Sequence, residues 1–329
     1  AIIIIDNGDS KYLEQLCVEL MNILKGEHLC QTLDDDEVPE DEDADASETD
    51  AMLFESALEV LVNLSLALGP DFNKIFASFK DIIAANVTSK SKNKRVSAIG
   101  ALAEIGSGLK ESNPYTDEFL QLFTTRLQGD KSVEVRGNAA YGIGILIFYS
   151  NNNYSGSYPD IFNLLSTLLS KVQKQEANVD EDDEETKDVI HRSYANACGC
   201  VARLALKQQD AAPLNVILPV LFEHLPLQSA FEENTPIFEL IVKLYQDSNE
   251  EIVQFTPKVV ELFADVFLKE FEKEKLERES TLGREENIDR FKQFETPELK
   301  AKVIDLLKYL DTKYASVASQ NQVLKQVIS

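Results

Sequence analysis

The chain has 329 residues, 44% of them hydrophobic, enough to bury a substantial core as two or three domains or as one long repeat array. Its 57 acidic and 32 basic residues leave a formal charge of −25, so a nucleic-acid duplex or an anionic membrane surface is repelled on average and basic partners are favoured. Four cysteines (Cys17, Cys30, Cys198, Cys200) exclude a disulfide scaffold at this length and fit a reducing compartment.

The start, Ala1 to Asp6, holds the apolar run Ile2 to Ile5, too short to span a bilayer, and has no basic leader, cleavage site or initiator Met. It reads as a piece of a larger soluble protein, and no later stretch is expected to reach the roughly 18 to 20 apolar residues of a membrane helix. Between Asp34 and Asp50 stand eleven carboxylates and no base, and Glu176 to Asp188 holds eight against Lys187. These tracts carry −11 and −7 of the net charge, so the expectation is a mildly acidic folded body with two solvated polyanionic segments, 33–50 and 176–188, that steer basic partners through long-range attraction.

Apolar residues recur at three and four spacing almost throughout, as in Leu58, Leu61, Val62, Leu66 and in Leu299, Val303, Leu306, Leu307, Leu310. That is helix periodicity, and no strict alternation or hairpin signal competes with it. Punctuation at Gly69-Pro70, Asn113-Pro114, Gly129-Asp130, Pro159, Pro213, Pro236 and Pro297 cuts the chain into paired segments. The spacing predicts Phe72 to Val87 with Arg95 to Lys110, Thr116 to Gln128 with Val133 to Tyr149, Pro159 to Gln173 with Val189 to Gln208, Pro213 to His224 with Pro236 to Gln246, and Ile252 to Leu276 with Glu298 to Ser316.

The second helices share small residues: Val96-Ser-Ala-Ile-Gly-Ala-Leu-Ala-Glu104, Val135-Arg136-Gly-Asn138-Ala-Ala-Tyr141-Gly, and Asn196-Ala-Cys-Gly199-Cys-Val-Ala-Arg203. Val96 to Val135 is 39 residues, and Asn138 to Asn196, 58 apart, falls near 40 once the second acidic tract is removed. A repeat of about 40 residues with two helices is that of HEAT solenoids, and Ala and Gly let neighbouring repeats pack closely. The expected fold is all-α: one continuous HEAT-repeat α-solenoid over 1–329, a right-handed superhelix of antiparallel helix pairs.

The runs Val133 to Leu146, Asn196 to Leu204 and Asp50 to Gly69, the last directly after a polyacidic stretch, resemble the C-terminal third of an importin-β (karyopherin-β) transport receptor. Within that family the likeness is to the fungal and animal importers of ribosomal proteins and core histones. The resemblance implies first helices on the convex face and second helices lining a concave face where Lys-rich nuclear localisation signals bind. It further implies Ran-GTP binding mainly nearer N-terminal repeats, Phe-Gly nucleoporins inserting between convex helices, and a monomer shuttling between cytoplasm and nucleus. A HEAT scaffold subunit of a phosphatase or chromosome complex is the alternative.

Candidate contacts for an extended basic peptide are Glu104, Asn138, Tyr141, Asn196, Glu232 and Glu233. Carboxylates match ammonium groups, side-chain amides match peptide amides, and aromatic faces match Lys stems. Asn138 and Tyr141, three apart, share a helix face. With no Trp in the chain, a Trp-Asn lysine clamp is excluded and pockets are expected to read single lysines. Phe119, Leu122 and Phe123 on a first helix are expected to be core, with a convex slot for Phe-Gly repeats as the lesser reading. Enzyme chemistry is not expected: His28, His191 and His224 sit in different segments, Cys198-Gly-Cys200 reads as helix core, and no cofactor or metal motif is present.

Overall fold

The computed structural model describes residues 10–31, 48–180, 182–279 and 291–329, and every regular element among them is helical. The first acidic tract therefore lies outside the described residues except for Glu48 to Asp50, which begin a helix. The chain divides into two compact units, Ala1–Tyr154 and Ser155–Ser329.

In the first unit the helices are α1 (Ser10–Lys25), α2 (Glu48–Leu68), α3 (Asn73–Asn86), α4 (Lys92–Leu109), α5 (Thr116–Gly129) and α6 (Val133–Tyr149). The second helices start at side-chain caps: Ser91 Oγ accepts from Lys94 N, and Ser132 Oγ from Val135 N, each satisfying an orphan donor of the first turn. α2, α4 and α6 lie side by side, and α1, α3 and α5 pack against them. Small residues set their separation. A Cβ on Gly108 would lie 2.8 Å from the Ser65 backbone, one on Gly106 2.9 Å from Leu146, and one on Gly142 would meet the Phe123 ring. The first helices fill the layer between with rings: Phe72, Phe76, Phe79, Phe119 and Phe123 are all 1% exposed or less, and successive pairs along Phe72, Phe76, Phe119 and Phe123 have centroids 6.0 to 6.4 Å apart. Phe119 and Phe123 are interior packing, the favoured reading of the sequence, and the lesser reading of a slot for Phe-Gly repeats falls away at these two rings.

Asp50–Asn86, α2 together with α3, is long and apolar enough by length and composition to cross a membrane, contrary to the sequence expectation. The stretch is broken by Gly69 at φ 54° and by Pro70, and Phe54, Leu58, Leu61 and Leu64 are buried inside the unit.

In the second unit the helices are α7 (Tyr158–Glu176), α8 (Glu184–Lys207), α9 (Leu214–Leu221), α10 (Asn234–Gln246), the single turn α11 (Glu250–Val253), α12 (Thr256–Glu279), α13 (Pro297–Lys313) and α14 (Gln322–Ile328). α8, α10 and α13 pack in succession, α7 and α9 lie on α8, and α14 closes on α12 and α13. Phe238, Ile241, Phe263, Phe267, Val303 and Leu307 join one core. Each unit is thus a stack of helix pairs joined through their second helices, the HEAT arrangement.

Most predicted ends lie within about three residues, and the larger differences from the sequence reading are two boundaries and two further helices. α8 begins at Glu184, five residues early, because Asp183 accepts from Thr186 N; Glu184, Glu185 and Asp188 then belong to a helix start, where negative charge complements the dipole. The expected single helix from Ile252 is split by the Asn249-capped turn α11. α1 and α14, both amphipathic, are additional.

Candidate functional site

Along α4 the partly exposed ridge runs through Ser97, Gly100, Glu104 and Ser107, and along α6 through Glu134, Asn138 and Tyr141. Tyr141 donates its phenol proton to Glu104 Oε1 at 2.5 Å, a short charge-assisted bond that fixes the carboxylate. Asn138 Nδ2 donates to Val96 O at 3.3 Å, tying α6 to α4. Gly100 opens the floor between them, since a Cβ there would approach nothing nearer than Asn138 Nδ2 at 3.9 Å. Among the described residues no Lys or Arg forms an ion pair with Glu104. The structure therefore brings Glu104, Asn138 and Tyr141 together as an acceptor-rich station with one oriented, half-buried carboxylate. A carboxylate in that position gains by receiving a cation from outside the fold.

In the second unit the turn Phe231–Glu233 follows Ala230, which takes a left-handed conformation at φ 51°, and it aims its two carboxylates in opposite directions. Glu232 is exposed. Glu233 is 0% exposed and accepts two bonds from Arg203 of α8, Nη1 to Oε2 at 2.6 Å and Nη2 to Oε1 at 2.7 Å. Gly199, one turn before Arg203, leaves the space the carboxylate occupies; a Cβ there would overlap it. The expectation of Glu233 as a cargo contact is thus corrected: Glu233 is paired with Arg203 beneath the turn, and Glu232 alone is exposed. Asn196 is 6% exposed on the same α8 face. Cys198 and Cys200 are core, at 4% and 0% exposure, and burial first, then the Glu233 charge, pushes the Cys198 thiol up to about 12.

Two features were not read from sequence. Arg203 was visible in the Asn196 to Arg203 run, and its four-residue spacing from Gly199 was the available signal. Tyr194 stacks on His224 at 4.3 Å between centroids and donates to Glu176 Oε2 at 2.8 Å, so one carboxylate of the second acidic tract closes the α7–α8 turn. Burial, then the Glu176 contact, raises the Tyr194 phenol far above its usual value. Burial lowers His224, against the opposing pull of Glu223 and Glu176. Among the described residues no group of His, Cys, Asp and Glu is arranged to hold a metal ion.

Stacked helix hairpins joined through their second helices define a HEAT-repeat protein. No family model matches the chain. It is 30% identical over 313 residues to "Probable importin subunit beta-4" of Schizosaccharomyces pombe, covering 93% of this chain and 26% of that protein. It is also 30% identical over 253 residues to "Importin-4" of Homo sapiens and 28% identical over 255 residues to "Importin-4" of Mus musculus, each covering 76% of this chain and 22% of the relative. The chain belongs to the importin-β family, and it spans about a quarter of the length of the curated relatives it matches.

Proposed function

We propose that the chain is a cargo-binding segment of a nuclear import receptor, and that its second-helix faces take lysines of an extended basic signal of the kind carried by histones and ribosomal proteins. The observation that carries this reading is Glu104: half-buried, oriented by Tyr141, and given no cation by the described fold. In the first unit Glu104 receives the ammonium group, the Tyr141 ring borders the aliphatic stem, and Asn138 faces the peptide backbone. In the second, Glu232 receives a lysine, with Glu233 and Arg203 holding the turn from beneath; Asn196, at 6% exposure, is left out of the contact. Ran-GTP releases the cargo, Phe-Gly nucleoporins engage the outer helices, and the protein works as a monomer between cytoplasm and nucleus.

An apolar cavity of about 130 Å³, lined by Phe162, Leu165, Leu169, Val201, Val216 and Val220 of α7, α8 and α9, suits a nucleoporin phenylalanine better than the buried Phe119 and Phe123 do. The deciding experiment is fluorescence anisotropy with a Lys-rich signal peptide on wild-type, Glu104→Gln and Glu232→Lys chains. Loss of a charge-assisted bond worth about 1.5 to 3 kcal/mol weakens binding roughly 10- to 100-fold in each variant. Unchanged affinity in both would remove the site assignment, and a wild-type chain with no preference for the basic peptide would favour a plain scaffold.

A further inference from the structure

Away from both stations, at the C-terminal end of α1, three side chains form a relay that import does not use. Glu19 lies on α1, and His28 and Cys30 lie just past its end, where Gly26 at φ 73° turns the chain back. The Cys30 thiol is 2.7 Å from His28 Nδ1, and His28 Nε2 is 3.4 Å from Glu19 Oε2. The Cys30 backbone N–H also donates to Nδ1, at 3.3 Å. That amide settles the tautomer: Nδ1 is an acceptor, so the ring proton sits on Nε2, facing the carboxylate, and the thiol is the second donor to Nδ1. A nucleophile with a base within reach is the arrangement that activates cysteines, and here a carboxylate stands 3.4 Å from the far ring nitrogen. Glu19 and Cys30 lie on opposite edges of the imidazole, which suits proton transfer.

The other three cysteines lack this setting. Cys198 and Cys200 are buried, and Cys17 is half-buried with its thiol raised by burial, whereas Cys30 is exposed. From these contacts we infer that Cys30 is a site of reversible oxidation, with hydrogen peroxide or another small neutral hydroperoxide as its co-substrate. The nearby charge selects that class. The sequence that follows is strongly acidic from Asp34 onward, so anionic thiols and disulfides are disfavoured near this segment while a neutral peroxide is not.

In the reaction His28 Nδ1 takes the thiol proton, and the sulfur attacks one peroxide oxygen. An S–O bond forms as the O–O bond breaks, and the imidazolium returns its proton to the departing hydroxide, which leaves as water. Sulfur loses two electrons to the peroxide and Cys30 becomes a sulfenic acid, which a thiol reductant can restore.

The test is peroxide treatment of the intact chain followed by sulfenic-acid trapping with dimedone and peptide mapping, with iodoacetamide alkylation measured in parallel. Wild-type chain is expected to carry the adduct on Cys30 ahead of Cys17. His28→Ala is expected to slow the peroxide reaction at least about tenfold, short of the ~10²–10⁴ of an enclosed acid–base pair because water competes at an exposed site. The same variant should lose less toward iodoacetamide, because iodide leaves without a proton. Glu19→Gln should give a smaller loss. Adduct appearing equally on Cys17, an unchanged peroxide rate in His28→Ala, or equal losses toward both reagents would overturn the assignment. None of these outcomes depends on cargo binding, so the proposal stands or falls apart from the import reading.

Discussion

Glu232 and Glu233 are neighbours in the chain with opposite fates, and substitutions separate them. Glu232→Lys changes an exposed side chain, so it should weaken a basic peptide while leaving the thermal midpoint unchanged. Glu233→Ala strands the Arg203 guanidinium, 8% exposed, without its fork partner, and breaking such a buried pair costs about 3 to 5 kcal/mol. Replacing both members with Leu should recover much of that loss, measured by urea unfolding. His224 gives a second residue-scale expectation. Its folded pKa lies below the ordinary 6.5 because burial disfavours the charged ring, so the folded chain binds fewer protons than the unfolded one. Its contribution to stability is complete above about pH 6.5 and fades as pH falls from there through the lowered midpoint. In an NMR titration the His224 ring should turn over below 6.5, and Glu176→Gln, which removes a carboxylate that favours protonation, should move it lower still. A midpoint at or above 6.5 would show the ring to be open to water.

At the scale of the helix, glycines on second helices differ by what faces them. A Cβ on Gly108 would lie 2.8 Å from the Ser65 backbone, and backbone cannot rotate aside, so Gly108→Ala should force α2 from α4 and lower stability by about 1 to 3 kcal/mol, as overpacking does. A Cβ on Gly100 would meet only Asn138 Nδ2, at an ordinary 3.9 Å, so Gly100→Ala should raise stability by roughly 0.5 to 1 kcal/mol through helix propensity. Paired urea melts of the two variants test the close-packed layer directly. The helix pairs were legible because a 3.6-residue apolar period and clustered Ala and Gly are properties of neighbouring residues. The start of α8 was not, since Asp183 reads as one more charge in a solvated run until its carboxylate is seen on the Thr186 amide. Nor was the burial of Glu233, which depends on Arg203, thirty residues earlier, and on the absence of a side chain at Gly199. Glu104 and Tyr141 were legible as residue types, but their 2.5 Å bond follows from a register between helices that spacing does not encode.

On the proposed reading, the question for the whole molecule is how a chain of net charge −25 would find a basic partner without holding it indiscriminately. Eleven of the carboxylates sit between Asp34 and Asp50, while the second tract is partly absorbed into structure: Glu176 binds Tyr194, Asp188 accepts from Arg192 at 3.2 Å and from Ser229 at 2.6 Å, and Asp183 caps α8. The steering assigned to both tracts from sequence then rests mainly on the first. Long-range attraction raises the rate of encounter, and short-range contacts set the rate of escape. Deleting residues 34–47 should therefore lower the association rate of a Lys-rich peptide several-fold at low salt and leave its dissociation rate nearly unchanged, with the difference closing as ionic strength rises past about 0.15 M. Glu104→Gln should do the reverse, accelerating dissociation at every salt concentration. Stopped-flow measurements on the two variants across a salt series separate the roles; a deletion that changed dissociation and spared association would place the tract in contact with the peptide.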